Sequence, residues 1–319
     1  MMYGKFGALG ALLLVSGYVH AGYTTVTNVE KQTVGYDLSA ISIPDQPGGA
    51  SAWKENNSLS VVYDCGANGS VTYSLNVAGV QIDNKTWKTS NEGVGIRYKL
   101  EGAYDFFPSV ETYPYTTKQP TCKEGKETTT YVHVRYQLVR LAAHVPAGGV
   151  GPLPNVTVNV NNDDPAAKDF SQLFLSGIAK NIKVNGCAID APSQITLPDL
   201  YTADLLAGVN LQTTRIPITL KNCPGAVNNI TYKFSPANGT MSYANGEMKT
   251  APGSARGIYL RLTKENGQPY SLNGIFAIDH YQGSGDYSLP ANISYYIHSV
   301  NDVRPGPVNE AITLTVDYN

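Results

Sequence analysis

The chain is poor in charge, in cysteine and in long apolar runs, and each shortage excludes something. Charged residues make up 15% of its 319 residues and the formal net charge is −2. No global field therefore draws it to nucleic acid or to an anionic membrane. It has no block of Lys and Arg and none of the patterns that mark RNA- or DNA-binding modules, so nucleic acid is not an expected partner. Gly-x-Ser-x-Gly, His-Glu-x-x-His and a phosphate loop are all missing. A glycoside hydrolase needs two convergent carboxylates, and the adjacent pair Asp163 and Asp164 falls in a polar, turn-rich stretch. The expectation is a protein that is not an enzyme and that carries no cofactor.

The apolar run Phe6–Val19 follows Met1–Lys5, and Val19-His20-Ala21 fits a small-x-small cleavage rule. Residues 1–21 read as a secretory signal peptide, too short for a comfortable membrane span. No other stretch approaches about 20 apolar residues, so an exported, soluble mature chain is expected. The 4 cysteines include no Cys-x-x-Cys, which excludes the common zinc spacings. His133 and His144 offer too few ligands alone, and no metal is expected. In an exported chain the cysteines suggest two disulfides. Three pairings are open, and chain order favours Cys65–Cys122 and Cys187–Cys223.

What is abundant points to strands. Tyr (22), Gly (31) and Pro (19) are plentiful against 4 Met, a mixture of turn formers with β-branched and aromatic residues that favours an all-β fold. In the first half, residues 59–63, 71–77, 94–100, 131–141 and 156–160 read as strands separated by Gly/Asn-rich turns. Along 131–138 the core face should be Val132, Val134, Tyr136 and Leu138. Residues 146–154 (PAGGVGPLP) break structure. A connector is expected between about 161 and 178. In the second half, Ile182 and Val184 alternate into Cys187, and 195–197, 215–220, 230–234, 257–262, 293–297 and 311–318 complete a set of short strands, the pattern of an immunoglobulin-like or jelly-roll β-sandwich. The last of these alternates cleanly. Ile312, Leu314, Val316 and Tyr318 point one way; Ala311, Thr313, Thr315 and Asp317 point the other.

Four stretches, in order, resemble the pilin domain of chaperone–usher pili. They are NGCAIDAPSQITLPDL (185–200), RIPITLKNC (215–223), ARGIYLRLTKENGQPYSL (255–272) and GPVNEAITLTVDYN (306–319). The last has a glycine fourteenth from its end, an alternating strand and a penultimate tyrosine. A whole extra segment with its own cysteine pair precedes them. The chain thus resembles two-domain fimbrial tip adhesins: a lectin-like domain over 22–178, connector included, and a pilin domain over 179–319. The long cysteine loop of the first part is reminiscent of fimbrial lectins that bind N-acetylglucosamine.

The resemblance implies two β-sandwich domains, the second incomplete and completed by a donor strand. Its open groove would be flanked by the first strand (Ile182, Val184) and the last (Ile312, Leu314, Val316, Tyr318). The implied partners are a periplasmic pilus chaperone, an outer-membrane usher, the next pilus subunit donating a strand, and a host glycan or glycoprotein. The implied location is the fimbrial tip at the cell surface, reached through the periplasm. A tip subunit donates no strand, so residues 22–34 are expected to be a strand of the first domain. A minor structural pilin or assembly initiator without sugar binding is the alternative.

A sugar site needs an aromatic face and polar groups on loops. Tyr104 and Asp105, in the aromatic stretch 102–115, are a candidate platform and acceptor. Gln119, Thr121 and Thr129 flank Cys122, and Asn56 precedes the strand leading to Cys65. Trp53 and Trp87 read as packing residues.

Overall fold

The structure, a computed structural model, describes residues 23–66, 69–103, 107–119, 126–180 and 182–319. The chain is all-β, and its apolar residues form two cores. One draws on residues from Val26 to Leu175 plus Ala226, the other on residues from Leu211 to Ile297.

The first core lies between two five-stranded sheets. Their strands, in chain order, are β1 (Thr25–Val29), β2 (Val34–Tyr36), β3 (Ser58–Asp64), β4 (Val71–Ala78), β5 (Thr86–Lys88), β6 (Val94–Gly102), β7 (Thr116–Lys118), β8 (Glu127–Arg140), β9 (Asn155–Asn162) and β10 (Phe170–Ala179). One sheet has the order β1-β3-β8-β6-β5 and the other β2-β10-β9-β4-β7. Every expected strand of this half is present. The alternation of β8 places Val132, Val134, Tyr136 and Leu138 at zero exposure, because a period of two buries one face of a strand. Strand β1 pairs with β3, so Thr25–Val29 enters a sheet of its own half. The stretch 161–178 differs from the polar connector read from sequence. It turns through Asp163 and Asp164 into β10, which pairs antiparallel with β9 and parallel with β2.

The second core has one five-stranded sheet facing two three-stranded pieces. Its strands are β11 (Ala188–Asp190), β12 (Asn210–Ile216), β13 (Thr219–Cys223), β14 (Ile230–Pro236), β15 (Thr240–Ser242), β16 (Glu247–Met248), β17 (Tyr259–Lys264), β18 (Phe276–Ala277), β19 (Gly285–Ser288), β20 (Ala291–Tyr296) and β21 (Ile312–Tyr318). The orders are β12-β20-β17-β16-β15, β11-β13-β19 and β18-β14-β21. The alternating run 215–220 is one strand by pattern but two in space. Pro217 has no N–H to give a ladder, and the chain changes sheets there, from β12 to β13. Residues 195–197 form no strand, although Ile195 and Leu197 pack against the second core.

The cysteines divide by half. Cys187 is bonded to Cys223. Cys65 is itself in a disulfide; its expected partner, Cys122, lies outside the described residues.

A main-chain junction joins the halves. The loop 144–148 of the first half lies between residues 226–227 and 282–284 of the second. Ala147 N–H donates to Gln282 O (2.9 Å), Gly148 N–H to Val227 O (2.9 Å), Ala226 N–H to Pro146 O (2.9 Å) and Ser284 N–H to Val145 O (2.8 Å). Asn91 holds the loop from behind, its Nδ2 donating to Pro146 O and Gly148 O. Val145 is buried. Gly283, at φ +125°, has no room for a Cβ against the Val145 carbonyl.

Candidate partner-binding groove

The second core is open along one side. Strand β21 pairs with β14 in register from Ile312↔Pro236 to Tyr318↔Ile230, and among the described residues no strand pairs with its other edge. The ladder phase shows which groups that edge presents. Asn319 N–H donates to Asn229 O, Asn229 N–H to Asn319 O, and Ala237 N–H to Ala311 O. Odd-numbered residues therefore face β14. In an antiparallel ladder the alternate residues project N–H and C=O the opposite way, so Ile312, Leu314 and Val316 offer their main-chain groups to the open edge. Their side chains, with that of Tyr318, are half-buried and pack on the second core.

Beside that edge runs a groove of about 1090 Å³. Ile312 and Leu314 form one wall. Ile189 of β11, followed by Ile195, Leu197, Leu200 and Leu205 of the irregular segment 191–205, forms the other. The floor is built from Ile216, Ile218, Phe234, Leu260, Leu262 and Ile293. Tyr295 also lines it, and burial pushes its phenol pKa up. The arrangement suits an extended apolar segment. Unpaired N–H and C=O groups supply a ladder, and the apolar floor receives alternate side chains. At one end, Cys187 N–H donates to Tyr318 Oη across 2.6 Å.

The sequence-based groove residues separate into three groups. Ile312 and Leu314 line the groove, while Val316 and Tyr318 do not line it and pack against the second core. Ile182 packs against the first core and Val184 against the second. Both line smaller cavities near the junction rather than this groove. The segments that supply the floor were read as strands but not as a floor, because alternation in a single strand says nothing about which distant strands leave a gap between them.

The sugar-site candidates do not converge among the described residues. Asn56 is half-buried and internally bonded: its Nδ2 donates to Gly35 O, and its Oδ1 accepts from Tyr136 Oη. Gln119 is buried, its Oε1 accepting from Tyr73 Oη at 3.3 Å. Thr129 is exposed on β8 opposite Val62. Tyr104, Asp105 and Thr121 lie outside the described residues. Trp87 is buried and donates to Tyr115 Oη at 3.2 Å. Trp53 sits 5.7 Å from the Lys99 ammonium.

The sequence reading missed a charge network beside Trp53. Glu55 meets His133 Nδ1 at 2.5 Å and Arg135 Nε at 3.2 Å. Glu101 meets Lys99 at 3.0 Å and Arg135 at 3.8 Å. Its signal was the polar face of β8, His133 and Arg135, read only as the side away from the core. His144 is elsewhere, its Nδ1 against Ser284 O at 2.9 Å. No group of three or more His, Cys, Asp and Glu placed to hold a metal occurs among the described residues.

No protein-family model and no curated protein sequence matches the chain. The solved structures it resembles include pilus tip adhesins. One is the CupB6 tip adhesin of Pseudomonas aeruginosa, at 14% identity and a TM-score of 0.43, covering 92% of this chain and 93% of that one. The CsuC–CsuE chaperone–tip subunit complex of Acinetobacter baumannii matches at 12% identity and 0.34, covering 92% and 99%. The receptor-binding domain of the MrkD1P adhesin of Klebsiella pneumoniae matches 52% of this chain and 97% of its own length, at 17% identity and 0.30.

Proposed function

We propose that the chain is a fimbrial tip adhesin: after a signal peptide (1–21), residues 22–178 bind a host-surface glycan without catalysis and residues 179–319 join the pilus by accepting a strand. The observation that carries this reading is the open edge of β21 above an apolar groove. Exposed apolar surface and an unpaired ladder make a solitary subunit prone to aggregate. A second chain must therefore cover the groove. In the proposed sequence of events a periplasmic chaperone covers it first, an outer-membrane usher receives the complex, and the next subunit's extension replaces the chaperone strand. Main-chain hydrogen bonds give affinity in both steps, and alternate side chains in the floor give selectivity. The resemblance of residues 185–319 to pilin segments supports the same role. Strand β1, held in its own sheet by β3, suits a subunit that accepts a strand and donates none.

Glycan binding is tested on the full chain completed by a fused alternating strand, screened on a glycan array with and without zinc. A selective hit supports a lectin and names the sugar class. A blank from a folded, disulfide-bonded sample contradicts glycan binding and favours the structural-pilin reading or a protein receptor.

A further inference from the structure

The groove beside β21 ends at Tyr318, and the residues around that end are built to hold the ring in place. Tyr318 Oη accepts the Cys187 N–H at 2.6 Å, so the side chain spans from β21 to the opposite wall. Both ends of the bridge are anchored. Cys187 is tied to β13 by its bond to Cys223. The Tyr318 main chain sits in the ladder opposite Ile230, and its neighbour Asn319 exchanges hydrogen bonds with Asn229. Gly186 makes room for the phenol: a Cβ there would lie 2.8 Å from Oη and 3.3 Å from Cζ. The cavities respect the same boundary. The groove is lined as far as Ile189 and Leu314, whereas a second cavity of about 800 Å³ begins at Val184 and Tyr318, and the two share no lining residue.

Resting on the strand-accepting reading above, we infer that Tyr318 is the register stop of the groove: its ring, standing across the channel, fixes how far an accepted strand runs and therefore how many residues pair. The ring acts in two ways. It occupies the path between the walls, and it takes up the Cys187 N–H that a longer strand would need as a ladder donor. The free edge then spans Ile312 to Val316, with Tyr318 as its limit. Along β21 itself an accepted strand covers about six or seven residues, roughly 20 Å at about 3.3 Å per residue. Tyr318 is a positioning residue here, because it selects partners by length and register without supplying the ladder.

The test uses the full chain and synthetic peptides of alternating Val and Thr, lengthened at either end from about five to about thirteen residues. Affinity is read by fluorescence anisotropy and pairing by amide exchange. In the wild-type chain, affinity rises to about seven residues and then stays flat within about twofold. In Tyr318→Ala it continues to rise, by about tenfold or more between seven and eleven residues, and new amides become protected beyond the former end. In Tyr318→Phe, which keeps the ring, the Cys187 amide of the peptide-free chain exchanges about tenfold faster or more, while the plateau stays. Should Tyr318→Ala fail to fold, Gly186→Ala displaces the ring without removing it and shifts the plateau. A wild-type chain that keeps gaining affinity with length overturns the inference, as does an unchanged plateau in Tyr318→Ala or, where that variant does not fold, in Gly186→Ala. Absence of binding at any length overturns the strand-accepting reading itself. Binding with the wrong length dependence overturns only the stop.

Discussion

At the scale of single residues, the first core is organised by buried tyrosines, and the hydroxyls of Tyr36, Tyr73, Tyr98, Tyr115 and Tyr136 are hydrogen-bonded. Tyr36 Oη donates to Pro154 O at 2.5 Å and lies 2.9 Å from Tyr98 Oη. Tyr136 Oη donates to Asn56 Oδ1 and accepts the Asp37 N–H at 3.0 Å. Tyr136→Phe leaves both of those partners unsatisfied. The expected cost is about 1–3 kcal/mol, read as a lower urea midpoint with unchanged slope. Asn56→Ala carries a similar cost through the Gly35 carbonyl, so its effect on glycan binding must be separated from its effect on folding. The tyrosines also set an alkaline limit. Burial pushes the Tyr136 phenol up to about 12 and the Tyr36 phenol further. Such a phenol keeps its proton in the folded state while the unfolded chain loses it above about 10. The folded chain then binds more protons, and stability falls as pH rises. The contribution is fully present below about pH 10 and is lost, for Tyr136, by about 12. Urea titrations between pH 8 and 11.5 should show a midpoint that is flat at first and declines above about 10; a flat profile throughout contradicts this.

At the scale of elements, β21 is the strand whose properties matter most. Leu314→Asp places a carboxylate in the half-buried wall of the groove. It should weaken peptide acceptance by at least about tenfold, while Thr313→Asp, on the exposed face, should leave it nearly unchanged; the pair is compared by anisotropy. Equal losses in the two variants would show that inward alternation is not what an incoming strand reads. How far the elements were legible follows from local pattern. Strands β3, β4, β6 and β8 each bury one face and β21 half-buries one, so their period of two was visible. Strand β10 was not, because Phe170-Ser-Gln-Leu-Phe-Leu-Ser-Gly-Ile-Ala179 does not alternate and follows a polar turn. Ile182 and Val184 alternate but serve two different cores, one each, so their pattern imitated a strand that does not form. Pro217 hid a change of sheet inside an apparently continuous run. Half of the groove wall, Ile312 and Leu314, was readable from β21, while its floor depended on tertiary pairing.

At the scale of the whole molecule, the junction between the halves was the least legible feature. Its bonds come chiefly from main-chain groups of loop 144–148, and its fit depends on Gly225 and Gly283 having no side chain. Sequence pattern carries no trace of either. Gly283→Ala forces a methyl group against the Val145 carbonyl at a positive φ and should cost about 1–3 kcal/mol. The two cores should then melt as separate transitions in calorimetry, where the native junction favours coincidence; a single unshifted transition contradicts this. The Cys187–Cys223 bond ties the groove wall to β13, two residues before Gly225, so the groove and the junction share one covalent support. Its removal should cost about 4 kcal/mol by loop entropy, measured as a lower urea midpoint in Cys187→Ser/Cys223→Ser. The account of the whole chain nevertheless rests on a single claim, that β21 accepts a strand from another protein. Residue-resolved amide exchange of the full chain, with and without an alternating peptide, tests it most directly. The peptide should newly protect the amides of Ile312, Leu314 and Val316, while those of Thr313, Thr315 and Asp317, already bonded to β14, change little. Protection that ignores this alternation, or none at all, contradicts the claim.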